Sequence, residues 1–337
     1  MATEKLPLVS VIIPMYNAAR FIPQTLESLL YQTMQDFEVV LIDDCSTDNS
    51  ATIAESYLEK FGGRLKIIFL PKNTGKPGLP RNVGIQFARG EYIAFLDADD
   101  LYTPTALEEL STLAEKFQAD IVHTDTFFLQ YSGGNVEVCQ RQTLPVVSEP
   151  TFETNDLAQR IDQWLNRGYN WESVTNFCRR DFLTANQIHF PDMLNNEDMI
   201  LSFRLLCTAE TFLRVPNCTY LYRQRQDSVS QKSFEGAAEH FHKWLRVMKD
   251  GFHNFEEIMS AISFFDDHPD YRYAVLEFFF NEVLPQFLNS YIHNPAFTLN
   301  PLVKKEFHSD DATLYSYLFD SVNIYRLQIM QLQQENA

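Results

Sequence analysis

Residues 9–50 read VSVIIPMYNAARFIPQTLESLLYQTMQDFEVVLIDDCSTDNS, two apolar runs with a helical pattern between them. Residues 8–13 are a short β-branched run stopped by Pro14, the pattern of a strand buried on both faces, and a turn follows at Tyr16 and Asn17. Phe21, Leu26, Leu29 and Leu30 recur at helical spacing, and residues 37–42 (FEVVLI) form a second buried strand that enters Asp43 and Asp44.

The same order continues outward. Ser46, Thr47 and Asp48 offer cap chemistry for a helix to about Phe61, where Gly62 and Gly63 end it. Residues 65–70 (LKIIFL) are a third strand, a helix begins near Arg81, and residues 92–96 are a fourth strand. Strand and helix alternating with short connections predict an α/β fold with a mostly parallel sheet covered by helices. Such sheets bind ligands at the carboxyl ends of their strands. Tyr16 and Asn17, Asp43 and Asp44, the loop 71–81 and the acids Asp97 to Asp100 all lie at those ends and should share one crevice.

Beyond the fourth strand, Thr103 and Pro104 read as cap and first helical residue of a helix carrying Leu107, Leu110 and Leu113. Residues 119–125 predict a strand, Ser132 to Asn135 a hairpin turn, and the polar stretch 141–154 a loop over the crevice. Residues 195–198 (NNED) cap a helix bearing Ile200, Leu201, Phe203, Leu205 and Leu206. From about Gln231 the chain turns helical and rich in Phe, and Leu314, Leu318, Val322, Tyr325, Ile329 and Leu332 make an apolar stripe. Two domains are expected, an α/β domain over 1–230 and a helical one over 231–337.

Composition narrows the function. A formal charge of -18 opposes broad binding to nucleic acid or anionic lipid, and 45% hydrophobic residues exclude general disorder. The five cysteines are scattered with no CxxC pair, so they are expected as reduced structural thiols. None of the eight histidines has ligand spacing. The N-terminal stretch lacks a secretory core, and no segment approaches a membrane span, so a cytoplasmic location is expected.

The stretch 91–104, EYIAFLDADDLYTP, sets Asp97, Asp99 and Asp100 behind the fourth strand. Acids there serve either as a solvated capping cluster or as a site for a hard divalent cation that shares its coordination shell with a phosphate. The surroundings favour the cation. An Asp pair closes the second strand, Asn73 to Lys76 form a flexible loop with a cation, and Arg81 opens a helix where guanidinium and N–H groups suit phosphate oxygens. Solvated surface charge is the alternative for Lys76 and Arg81.

The quoted stretch 9–50, followed by NTG (73–75), RNVGIQFARGEYIAFLDADD (81–100), NNEDMILSFRL (195–205) and YLYRQRQDSVS (220–230), resembles the family 2 glycosyltransferases of GT-A fold. The resemblance covers residues 8–230. It implies that Pro14, Tyr16 and Asn17 hold a nucleotide, that Asp44 accepts a hydrogen bond from the base, commonly uracil, and that Arg81 lies by the diphosphate, to which the cation of the loop, Lys76, is added as a cofactor-binding candidate. It places Asp97 by the ribose or donor sugar, Asp99 as ligand to Mn²⁺ or Mg²⁺, Asp198 as general base, and Arg225 on the diphosphate. Cys45 stands where the family often has Gly, residues 76–80 (KPGLP) are stiffer than the usual loop, and Arg225 stands where many relatives carry His.

The implied function is metal-dependent, inverting transfer of a sugar from a nucleotide-sugar donor, UDP-linked by the Asp44 signal, to a hydroxyl acceptor that is a saccharide, a lipid-linked sugar or a protein. Surface polysaccharide or glycoconjugate synthesis is the setting, and a lipid-linked acceptor would bring the chain to the inner membrane face. The second domain is expected to supply acceptor contacts or a homodimer interface. Two rivals share the motifs. A phosphatase of the haloacid dehalogenase type binds Mg²⁺ through a DxD motif, but its nucleophilic Asp follows the first strand, where Pro14, Met15 and Tyr16 stand here. A non-catalytic nucleotide-sugar-binding scaffold would differ only in lacking turnover.

Overall fold

The computed structural model describes residues 5–224 and 237–292. The chain divides into two compact units, Met1–Lys232 and Ser233–Ala337.

The first unit opens with the expected alternation: β1 (Val9–Met15), α1 (Ile22–Leu30), β2 (Phe37–Asp43), α2 (Ser50–Glu55), α3 (Leu58–Phe61), β3 (Leu65–Phe69), α4 (Gly78–Phe87) and β4 (Tyr92–Phe95). It continues through β5 (Leu101–Tyr102), α5 (Ala106–Phe117), β6 (Ile121–Thr124), β7 (Phe127–Gln130), β8 (Val136–Cys139), β9 (Thr151–Phe152) and α6 (Leu157–Leu165). After a 3₁₀ turn at Ser173–Thr175 come β10 (Asn176–Arg179), α7 (Arg180–Ala185), α8 (Glu197–Thr208), β11 (Phe212–Val215) and β12 (Tyr220–Arg223).

The main sheet has the order β3-β2-β1-β4-β10-β6-β11-β9. Its first four strands are parallel, β10 runs antiparallel to both neighbours, and β11 is again parallel to β6. A smaller sheet, β5-β12-β7-β8, stands apart from it. Every residue of β1 except Pro14 and every residue of β2 is buried, because helices cover both faces of the parallel strands. α4 packs unusually close to the sheet: a Cβ on Gly84 would lie 2.3 Å from Ile12 Cγ2. All five cysteines are free thiols.

Several boundaries differ from the sequence pattern. The helix expected from Asp48 to Phe61 is two short helices, broken at Ser56 and Tyr57, where the Tyr57 hydroxyl reaches Glu27 at 3.0 Å. α4 starts at Gly78 rather than near Arg81, since Pro80 in a first turn loses no intrahelical bond. α5 starts at Ala106 with Thr105 before it, so Pro104 lies outside the helix. The stretch 141–154 is held at the β11 edge of the main sheet: the Pro145 carbonyl accepts from Arg214 Nη2 at 2.9 Å and the Val147 N–H donates to Asp125 Oδ2 at 3.0 Å. It contributes no residue to the pocket described below.

In the second unit, α9 (Ala237–Ser260), α10 (Phe264–Asp267) and α11 (Pro269–Ile292) follow one another. Gly251 lets the Phe279 ring lie against α9, and Arg272 binds Glu256 through two hydrogen bonds of 3.0 and 2.6 Å. Among the described residues no helix is long and apolar enough to cross a membrane. The stripe Leu314 to Leu332 lies outside the described residues.

Candidate functional site

The carboxyl ends of β1, β2 and β4 open on a pocket of about 410 Å³. Eight of the sequence-predicted residues line it together: Pro14, Tyr16, Asn17, Asp44, Lys76, Arg81, Asp97 and Asp99. Arg225 lies outside the described residues. Leu194 and Asn195, just before α8, complete the lining, and Asp198 is not part of it but lies 4.0 Å from Arg81, which is.

Each side chain is placed by its own element. Tyr16, 49% exposed, stands at the mouth with its ring available to stack on a planar ligand. Asn17 adopts φ 49° and caps the next turn, its Oδ1 accepting from the N–H groups of Thr47 at 2.8 Å and Asp48 at 3.3 Å. Asp43 accepts from Ser46 N at 3.3 Å and so caps the turn after β2. Cys45, in the position where the family often has Gly, adopts the left-handed φ of 60°.

Asp44 is buried at the end of β2 and is gripped by the loop after β3. Thr74 N donates to its Oδ1 at 2.9 Å and Thr74 Oγ1 to its Oδ2 at 2.8 Å, while Asn73 Nδ2 donates to its carbonyl at 3.1 Å. Burial raises the Asp44 pKa, and the hydrogen bonds from Thr74 and Gly75 oppose that rise. Lys76 reaches across to Asp192 at 2.7 Å.

Arg81 is the centre of the polar cluster and is only 4% exposed. Its Nη2 donates to Asp97 Oδ1 at 2.7 Å, and its Nη1 lies 3.4 Å from Glu197 Oε1 and 4.0 Å from Asp198 Oδ1. Burial lowers its pKa, and the carboxylates of Asp97, Asp198 and Glu197 more than reverse the effect, so it stays charged. These contacts turn the guanidinium toward acids of the chain itself, where the resemblance implies a diphosphate.

Asp198 and Glu197 begin α8, whose N-terminal dipole favours negative charge. The expected side-chain cap is absent; Asn196 instead enters the helix at φ 64°. Burial pushes the Asp198 carboxyl up to about 7 against the pull of Arg81, with Glu197 and Asp97 adding repulsion. Asn82, next to Arg81, fixes the approach to this helix: its amide donates to the Phe190 carbonyl at 2.8 Å and accepts from Phe190 N at 2.8 Å.

Asp100 faces away from the pocket. It is 1% exposed and accepts from the Tyr220 hydroxyl at 2.6 Å and from Arg223 N at 2.8 Å. The Arg223 side chain donates to the Asp99 carbonyl and to Gln24, joining the acidic turn to α1. Burial, followed by repulsion from Asp99 and Asp97, raises the Asp100 pKa well above its ordinary value. Sequence reasoning grouped all three acids together; the structure separates Asp97 and Asp99 in the pocket from Asp100 behind it. Thr74 and Asn82 were missed, because nothing local marks a Thr in a loop or an Asn after an Arg as a clamp.

A parallel sheet with a helix-lined crevice at its strand ends, an acid closing β2 and a DAD turn after β4 define the GT-A class of nucleotide-handling domains. Residues 10–175 match the model of Glycosyl transferase family 2. The chain is 36% identical over 250 residues to an uncharacterized glycosyltransferase of Haemophilus influenzae, covering 73% of this chain and 91% of that protein. This chain therefore belongs to glycosyltransferase family 2. It is also 30% identical over 242 residues to the poly(ribitol-phosphate) beta-N-acetylglucosaminyltransferase TarS of Staphylococcus aureus, covering 71% of this chain and only 39% of TarS. The structure of TarS 1-349 in complex with UDP-GlcNAc superposes with a TM-score of 0.59 at 23% identity, covering 90% of this chain and 77% of the other. The mannosyltransferase PcManGT of Pyrobaculum calidifontis, in complex with GDP-Man and Mn²⁺, shares the fold with a TM-score of 0.51 at 16% identity, covering 96% and 83%.

Proposed function

We propose that this chain transfers a sugar from a uridine diphosphate donor to a hydroxyl acceptor, with inversion at the anomeric carbon, in the synthesis of a polysaccharide or glycoconjugate. The observation that carries this is Asp198, held beside the pocket with its carboxyl pushed up to about 7. A base titrating near neutral pH takes a proton from a sugar hydroxyl as attack begins and still exists in the ionised form. Tyr16 stacks on the base, Asp44 accepts from its ring N–H, and Lys76 and Arg225 hold the diphosphate. Asp97 lies by the ribose or donor sugar. Arg81 keeps Asp97, Glu197 and Asp198 in register.

Among the described residues no group of three or more His, Cys, Asp or Glu is arranged to hold a metal ion. One or two carboxylates from the DAD turn suit Mg²⁺ or Mn²⁺, whose remaining ligands come from diphosphate and water. Asp99 is the ligand from this chain. A divalent ion bound there offsets charge on the departing diphosphate. TarS in complex with UDP-GlcNAc and PcManGT with GDP-Man and Mn²⁺ support this choice of donor class and ion.

Residues 1–230 form the catalytic domain in this proposal, and 231–337 supply acceptor contacts or a homodimer interface. Thermal unfolding against nucleotides and UDP-sugars, with Mn²⁺ or with chelator, tests the donor site. A melting-point rise with UDP that vanishes on chelation and in Asp99→Ala supports it; no rise with any nucleotide overturns it. Transfer abolished in Asp198→Ala with donor binding retained separates the enzyme from a nucleotide-sugar-binding scaffold.

A further inference from the structure

We infer that Thr74 is a positioning residue for nucleobase recognition, fixing the Asp44 carboxylate and linking it to the Lys76 loop. The inference rests on the donor site proposed above and concerns a residue that site does not include. Thr74 grips both oxygens of Asp44, one through its N–H at 2.9 Å and one through its hydroxyl at 2.8 Å. Its hydroxyl has a single proton, and the Lys76 carbonyl at 3.1 Å is the more distant acceptor, so the proton goes to Asp44. The same oxygen then accepts from Lys76 N at 3.3 Å.

Two consequences follow for the carboxylate. Its torsion is locked, because rotation would break one of two bonds made by a single residue. Thr74 supplies two bonds and the Gly75 N–H a third, which leaves one of the carboxylate's roughly four acceptor positions for a ligand, and Asp44 lines the pocket. The ionised carboxylate is an acceptor only. It matches a base that presents a ring N–H, as uracil does, and repels the ring lone pair that cytosine presents in the same place. A site built around a fixed acceptor discriminates strongly between such ligands, whereas a carboxylate free to turn away does not.

The signal in sequence is weak, since Thr74 lies 30 positions from Asp44 in an ordinary-looking loop. The side chain is part-buried and its hydroxyl bonds Asp44 and Lys76.

Calorimetric titration of UDP and of CDP, each with Mn²⁺, into the wild type, Thr74→Val and Thr74→Ser tests the inference. Re-fixing a carboxylate that the Thr74 hydroxyl no longer holds predicts UDP binding several-fold weaker in Thr74→Val. The preference for UDP over CDP should shrink with it, the melting temperature without nucleotide should fall in Thr74→Val, and Thr74→Ser should restore affinity, preference and melting temperature. Thr74→Val that binds UDP as tightly and as selectively as a selective wild type overturns the inference and leaves the donor site standing. A wild type that binds UDP and CDP equally overturns the Asp44 assignment and this inference with it.

Discussion

Replacing Asp198 with Asn should cost activity and add stability, by an amount that depends on pH. In the folded chain the Asp198 carboxyl is pushed by burial from its ordinary 3.8 up to about 7. Between those values the folded state holds a proton that the unfolded state has released, so stability falls as pH rises through the window and levels off above it. At about 1.4 kcal/mol per pH unit, the ionised carboxylate costs the fold about 4 kcal/mol by pH 8, of which about 3 kcal/mol develops above pH 5. Asn keeps the shape and carries no charge. The stability gap between Asp198→Asn and the wild type should therefore widen by about 3 kcal/mol from pH 5 to pH 8, or roughly 6 to 12 °C in melting temperature for a domain of this size. Thermal unfolding of both proteins across that range at constant ionic strength measures it, since groups away from the Arg81 cluster titrate alike in both and cancel. Transfer should fall by about 10² to 10⁴. A gap that stays constant with pH would refute the argument, for it would mean that Asp198 titrates in the folded chain as it does in the unfolded one.

Arg214→Met leaves Asp125, a fully buried carboxylate, without its 2.6 Å partner and should destabilise by about 3 to 5 kcal/mol in urea unfolding; a smaller loss than 1 kcal/mol would show that the pair is not what pins residues 141–154. Gly84→Ala forces a methyl against Ile12 and should cost about 1 to 3 kcal/mol, more than the gain of up to about 1 kcal/mol in helix propensity, with a net stabilisation counting against the close packing of α4. Lys76→Ala removes an exposed pair with Asp192 and should change stability by less than about 1 kcal/mol, yet weaken UDP binding several-fold at low salt and less at high salt. Equal weakening at all salt concentrations would remove Lys76 from the diphosphate site.

The site was readable where chemistry falls on strand ends. β1, β2 and β4 announce themselves by buried β-branched runs, and the residues just after them converge whatever the intervening helices do. What escaped the sequence was held by contacts that no local pattern encodes. Arg214 and Asp125 are separated by 89 positions, so a stretch that looks like a free polar loop over the crevice is bolted to the β11 edge of the main sheet. Arg81 and Glu197 are 116 positions apart, and no local pattern announces that the guanidinium meets the chain's own acids. Helix starts failed for a more local reason: Pro80 is tolerated anywhere in a first turn and so lets α4 start earlier, while Pro104 stands just before α5 without being part of it.

Asp100 gives the acidic motif a second, separate claim on the chain. Its carboxylate ties β12 and Arg223 to the turn after β4 through buried hydrogen bonds. Under divergence the three acids are then released from selection at different times. A descendant that abandoned sugar transfer would be free to drift at Asp97, Asp99 and Asp198, while Asp100 and Tyr220 would persist for as long as the domain kept its shape. In a set of related sequences, a lone acid surviving at the fourth place of a degraded DADD would mark a retired enzyme that still folds.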